Sequence, residues 1–244
     1  MRCYLNLLAF LFLNCNSIKA QTVKFISSGK IEFERKIKLS ALYEPENPIL
    51  NDLKKSGQQF KKSFFTLTFD KSKVIYKPGK ENPENYKFQK MPAEDNVIYT
   101  ELDKKIVLSQ KQVYDNVFLI SDSVRKIQWK ITDEKRQIAG FECKRANAII
   151  MDSIYIVAYF TEEILTEGGP ESFSGLPGMI LGVAIPYEHI TWFANSLSVI
   201  EQNYIIEPPQ KGKALSNLEL KNNLKQNFDV STKIGNWSYK FSLL

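Results

Sequence analysis

The sequence predicts a mainly β fold, a curved antiparallel sheet laid down as a meander with a few short helices. Three observations carry this. Strand-like runs recur from Val97 to Ile200, separated by Asp, Asn, Gly, Ser and Pro signals. The gaps between them are too short for the crossover helices of a parallel α/β sheet. Nearer the start, Ile31, Phe33, Ile37 and Leu39 alternate with Glu32, Glu34, Lys36 and Lys38, the period of two of half-buried strands.

In chain order, the first twenty residues, MRCYLNLLAFLFLNCNSIKA, combine an early cation at Arg2, an apolar stretch from Tyr4 to Leu13 and a polar tail ending at Ala20. That is the layout of a secretory signal peptide. The apolar stretch is shorter than the roughly 20 residues a spanning helix needs, and Cys15 follows Asn14 instead of the small residue a lipid anchor wants. The expected product is one soluble β-rich domain from Gln21 to Leu244, without a transmembrane segment. Its expected place is the periplasm or cell envelope of a Gram-negative bacterium, or the medium outside.

PENPILNDLKKSGQQF offers a short helix ending near Gly57. SFFTLTFDKSKVIYKPG reads as a hairpin turning at Asp70-Lys71-Ser72, and KPGKENPENYKFQKMPAEDN as a loop. The strand runs after it are NVIYTEL, KIVLSQKQVY, NVFLISDS, RKIQWKITD, QIAGFECKRANAIIM, SIYIVAYF, GMILGVAI and HITWFANSLSVI. In GFECKRANAIIM the apolar set changes parity near Lys144 and Arg145, which predicts a β-bulge there. An amphipathic helix from Leu215 to Phe228 and a closing strand WSYKFSLL complete the chain.

Leu176-Pro177-Gly178-Met179 has Pro and Gly where a type II turn wants them. The MILGVAI that follows lacks polar alternation, so it should be a central strand covered on both faces. Gly182 inside it implies a bulge, a packed aromatic such as Trp192, or a ligand contact. WKITDEKRQIAGFECKRANA followed by AYFTEEILTEGGPESFSGLPGMILGV resembles the GLPGLI family of exported Bacteroidetes proteins. The eponymous motif stands here as Gly175-Leu176-Pro177-Gly178-Met179-Ile180, with Met179 where the family has Leu. Around it lie Trp129 heading a strand, the element Gly140-Phe141-Glu142-Cys143, and Gly169-Pro170. The resemblance implies an exported protein of unknown biochemical function with no agreed catalytic residues. It also implies an architecture similar to the half-barrels of periplasmic lipoprotein carriers, whose curved sheet shelters an apolar cavity.

Chemistry-bearing motifs are sparse. His189 is the only histidine, so any nucleophile-base catalysis must pass through it, with Cys143 the one nucleophilic thiol left after the leader is removed. G-x-S-x-G, H-E-x-x-H and C-x-x-C are absent, and TEGGPESFSG lacks the Lys-Ser/Thr end of a phosphate loop. Glu162, Glu163, Glu167 and Glu171 read as a solvated loop ahead of a hard-cation site. No cofactor or metal is expected. The formal net charge of +6 comes from lysines scattered along the chain, which read as a solvated surface and offer no nucleic-acid groove.

Sixteen Phe, eleven Tyr and three Trp, among them Tyr155, Tyr159 and Trp192, are enough to line a groove as well as a core. The expected function is therefore non-enzymatic: an envelope protein that holds an apolar ligand or a partner protein on its curved sheet, the GLPG turn bracing the central strand. Two other classes stay open. One is an envelope enzyme working through Cys143 or His189; the other is a structural partner of an outer-membrane transport system.

Overall fold

A computed structural model describes residues 25–85, 90–200 and 204–244; the expected signal peptide and the start at Gln21 lie outside them. Among the described residues, twelve strands form one open, curved sheet. They are β1 (Gly29–Lys38), β2 (Phe60–Phe69), β3 (Lys73–Pro78), β4 (Val97–Glu101), β5 (Ile106–Val113), β6 (Asn116–Ser123), β7 (Lys130–Ile138), β8 (Phe141–Ile150), β9 (Ile154–Thr161), β10 (Met179–Ile185), β11 (Ile190–Val199) and β12 (Lys213–Leu215). Three helices accompany them: α1 (Ile49–Ser56), α2 (Asn217–Asn227) and α3 (Lys233–Ser242).

The strand order is β12-β6-β5-β4-β3-β2-β1-β11-β10-β9-β8-β7. This corrects the single meander expected from Val97 to Ile200. There are two meanders, β1 to β6 and β7 to β11, sewn together by the antiparallel pairing of β1 with β11. Strands β6 and β7, consecutive in sequence, lie on opposite sides of the sheet, β7 at one edge and β6 next to the edge strand β12 at the other. The connecting residues Val124-Arg125-Lys126-Ile127-Gln128-Trp129 contain no turn former. They are held along their length instead: Arg125 Nη2 donates to the Leu243 carbonyl at 3.1 Å and Trp129 Nε1 to the Ser174 carbonyl at 2.9 Å. The sheet is also mixed, because β12 pairs with β6 in parallel.

One face of the sheet is the core. Along β1, Ile31, Phe33, Arg35 and Ile37 point inward and Glu32, Glu34 and Lys36 outward. The inner face is occupied by the protein's own side chains, Phe65 and Leu67 from β2 and Trp192 from β11 among them, beneath Phe173, Leu176, Trp237 and Phe241. The expected hairpin turn is present: Asp70 Oδ1 accepts from the backbone N–H of Ser72 and of Lys73. α1 ends at Gly57, whose φ of +69° closes it.

Two further expectations are corrected. WSYKFSLL, read as a closing strand, belongs to α3 and the residues after it. Trp237, Tyr239 and Phe241 fit a period of two, but Trp237 and Phe241 also fit one helix face at i, i+4, and Thr232 caps that helix by accepting from the Gly235 N–H. The Trp237 and Phe241 rings meet at 4.3 Å and bury together. The irregularity expected at Lys144 and Arg145 is present in the β7–β8 pairing, and Cys143, Ala146, Ala148 and Ile150 are all buried, but the extra residues lie in β7. β8 stays in register with β9 from Lys144 to Ile150, while the β7 pairing jumps between Ile131 and Lys135. An edge strand absorbs extra residues more cheaply because its outer side breaks no ladder, and the charged, kinked β7 is also a poor template for further pairing.

Candidate functional site

The residues singled out by sequence include a structural lock and an exposed hairpin tip, and the structure adds an inner polar cluster. The lock is the GLPG turn. Gly178 has φ +134°, and a Cβ there would stand 2.1 Å from the carbonyl oxygen of Thr161 on β9. No other residue fits. The turn is not the expected type II: Gly178 N donates to the Leu176 carbonyl at 2.7 Å, closing the loop around Pro177, and Met179 N donates to Ile164 instead. Leu176 and Met179 are buried. Gly175 faces Trp129, whose indole N–H is bound to the carbonyl just before it, so two elements of the family pattern meet. β10 is central, between β9 and β11, as its unbroken apolar run predicts. The aromatic over Gly182 is Phe193, not Trp192: a Cβ would lie 2.6 Å from the Phe193 ring. Trp192 points to the core instead, because neighbours along a strand face opposite ways.

Beneath the lock lies a polar cluster that the sequence reading passed over. Arg35 falls on the inward parity of β1, with Trp192 and Ser63 as its cross-strand neighbours. Its guanidinium lies 3.9 Å from Glu171, donates to the Pro92 carbonyl at 3.1 Å and stacks over the Phe65 ring at 5.0 Å. Glu171, expected in a solvated loop, is 3% exposed and accepts from Trp192 Nε1 at 3.2 Å. Burial pushes the Glu171 carboxyl up, against the pull of Arg35 and Lys111. Burial, helped by the Glu171 charge, also raises Tyr76. Lys111 is buried on β5, where desolvation and then the nearby Arg125 charge bring it down to about 8. Parity alone places Arg35 and Lys111 inside; what hides them in a sequence is that their partners arrive from distant segments, Pro92 and Glu171 from loops and the Ser242 carbonyl from the end of α3.

Cys143 and His189 do not form a pair. Cys143 is a free, fully buried thiol that burial pushes up to about 12. It lies beside the Lys144–Phe160–Ile180 row, at the start of β10. His189 sits past the other end of β10, exposed, with φ +53° after the turn Pro186–Glu188. The five residue steps from Ile180 to Ile185 alone set them roughly 16 Å apart along the strand. Gly140, with φ +90°, completes a two-residue β7–β8 turn with Ala139. Among the described residues no group of His, Cys, Asp and Glu could hold a metal, and no helix is long and apolar enough to cross a membrane.

The outer face carries the arrangement that most resembles a recognition surface. Register aligns Tyr159, Gly182, Phe193, Glu34 and Phe64 as one row across five strands. Arg136 lies over Phe193 at 4.7 Å and Tyr159 at 5.6 Å, Lys80 over Phe64 at 5.0 Å, and Lys36 over Phe60 at 4.2 Å. Lysines scattered in sequence become neighbours here: Lys36 is the direct cross-strand partner of Lys62, whereas Lys77 on β3 pairs with Thr66, four residues further along β2. Like charges placed opposite each other weaken a sheet. Among the described residues, neither Lys62 nor Lys77 forms an ion pair, and the single outer pair in this region, Lys80 with Glu32 at 4.0 Å, is exposed on both sides.

Comparison with known proteins adds a short family match and a shared fold. A family model described as "Protein of unknown function (Porph_ging)" matches residues 148–182, which run from the end of β8 through β9 and the GLPG turn into β10. No curated protein matches the chain. Among solved structures the chain is similar to PNGF-II in two crystal forms, with TM-scores of 0.56 and 0.55 and 15% identity, over 83% of this chain and 34% of that one. An uncharacterized conserved protein from Thermus thermophilus gives a TM-score of 0.41 at 4% identity, over 79% of this chain and 92% of that one. The chain thus spans about a third of the length of PNGF-II, and at this identity the likeness to PNGF-II is one of fold.

Proposed function

We propose that the protein is an exported, non-enzymatic protein of the cell envelope, of the GLPGLI type, whose single β-rich domain docks an acidic partner protein on its outer face. The observation that carries this reading is the juxtaposition of Lys36 and Lys62 in direct register beside the half-exposed rings of Phe60, Phe64 and Phe193. Cations with no ion pair among the described residues, set beside rigid aromatic surface, match the chemistry of interfaces that recognise acidic partners. The apolar-ligand alternative is the weaker one, because the inner face is filled by Phe65, Leu67, Trp192 and Phe241. The enzyme alternative is weakened by the burial of Cys143 and its separation from His189.

The test is binding of an immobilised glutamate-rich peptide by the mature protein across a salt series. Binding should weaken steeply with salt, and Lys36→Glu/Lys62→Glu should lower affinity by about ten-fold or more without changing the melting temperature. Binding that ignores both salt and these substitutions overturns the reading. So does attachment to anionic vesicles with no affinity for the peptide. Fractionation of cells expressing the full chain, with N-terminal sequencing of the product, tests export and cleavage after Ala20.

A further inference from the structure

The only histidine of the chain stands at a crevice that the GLPG lock and the outer face leave out of account. The turn Pro186–Glu188 between β10 and β11 leans on α3, and a cavity of about 290 Å³ opens between them. Its walls carry Lys233, Asn236 and Lys240 from α3 and Tyr187, Glu188 and His189 from the hairpin, with Trp237 beside them. Positions 233, 236 and 240 follow the three- and four-residue steps of one helix face, so α3 presents two ammonium groups and an amide to the same space.

The polar groups there are unequally committed. Lys240 is bound to Glu188 Oε1 at 2.8 Å, which neutralises that carboxylate, and the Glu188 carbonyl accepts from Trp237 Nε1 at 3.4 Å. Lys233 reaches only a carbonyl, that of Tyr43, at 3.4 Å. Among the described residues, the imidazole of His189 and the amide of Asn236 have no side-chain hydrogen bond. Tyr187 is 83% exposed at the mouth, an unusual position for a ring that packs against nothing. Once Glu188 is paired, the cavity keeps one uncompensated ammonium, two polar groups able to donate, and an aromatic surface. Those suit an anion with a flat body.

We propose that this crevice binds a small organic anion, a carboxylate or phosphate ester with an aromatic or otherwise planar body. Its oxygens are met by Lys233, Asn236 and His189, and its body lies against Tyr187. The site is independent of the outer face, so either reading can fail without the other.

Because His189 is the sole histidine, its ring C–H signal in a ¹H–¹³C NMR spectrum is a single reporter of the site. The full mature chain is titrated with phenyl phosphate, benzoate and inorganic phosphate. Saturable shifts of the His189 signal are expected with phenyl phosphate or benzoate, the tighter of the two fixing the anion class. Inorganic phosphate should bind several-fold more weakly. Lys233→Glu and Asn236→Ala should each weaken binding, the former by about ten-fold, with melting curves unchanged, while Lys71→Glu on the β2–β3 turn leaves it intact. Shifts that stay linear for both organic anions, or a loss equal for Lys71→Glu and Lys233→Glu, overturn the proposal.

Discussion

The guanidinium of Arg35 lies 3.9 Å from the carboxylate of Glu171, and both side chains are 1% exposed. This contact ties β1, at the centre of the sheet, to the loop that carries the GLPG turn, and Trp192 is the third member through its bond to Glu171. Among the described residues, Arg35 Nε and Nη2, Glu171 Oε2 and the Tyr76 hydroxyl are buried without a hydrogen bond. A cluster so incompletely satisfied specifies how the loop docks more than it stabilises the fold. Arg35→Met should destabilise the protein by about 3–5 kcal/mol, since it strands a buried carboxylate, and Arg35→Met/Glu171→Gln should recover most of that. Urea denaturation of the four species checks this; additive losses would contradict it.

Stability should depend on pH in two opposing windows. Glu171 is raised in the folded state, so the folded protein holds its proton more tightly than the unfolded chain. Its contribution is present at low pH and is lost as pH climbs from the ordinary carboxylate range through the raised value. Lys111 is lowered to about 8, so between about 8 and 10.5 the unfolded chain binds the extra proton and stability rises with pH. Lys111→Met should remove the alkaline rise and stabilise the protein near neutral pH by roughly 2–4 kcal/mol. Melting temperatures of wild type, Lys111→Met and Glu171→Gln across pH, with each variant flattening its own window and shifting the other through the charge it removes, are the check.

Two glycines of the family pattern should respond differently to a methyl group. Gly140→Ala meets nothing within 4 Å and bears only the cost of a left-handed conformation, about 1 kcal/mol. Gly178→Ala drives a Cβ into the Thr161 carbonyl and should cost about 3 kcal/mol or more. Equal melting temperatures for the two variants would mean the turn yields more easily than its packing implies.

The thiol of Cys143 should be inert in the native state. It is buried, raised to about 12, and donates to the Phe141 carbonyl at 3.7 Å. Labelling by a thiol reagent should await unfolding by denaturant, whereas stoichiometric reaction within seconds at neutral pH would revive a catalytic reading.

Much of the sheet was legible because periodicity of two survives wherever one face is buried. β1, the β2–β3 hairpin and the central β10 follow directly from Ile31-Phe33-Ile37, Asp70-Lys71-Ser72 and MILGVAI. Strand order was not. Nothing in Val124 to Trp129 announces that the chain crosses to the far edge, because that depends on contacts with Ser174 and Leu243. α3 was lost because an aromatic at every second position also places two of them at i, i+4. The site residues fared likewise. The GLPG signal marked a packing constraint, while the pairing of Lys36 with Lys62 exists only in the register between β1 and β2.

The claim on which this account most depends is that the outer face of β1, β2 and β3 is the docking surface. Amide chemical shifts of the isotope-labelled protein from residue 21 to 244, recorded as a glutamate-rich peptide is added, test it directly. The account predicts saturable shifts concentrated at Glu34, Lys36, Lys62, Phe64 and Lys77 that vanish in Lys36→Glu/Lys62→Glu. Shifts gathered elsewhere, or spread evenly over exposed lysines such as Lys71 and Lys126, would contradict it.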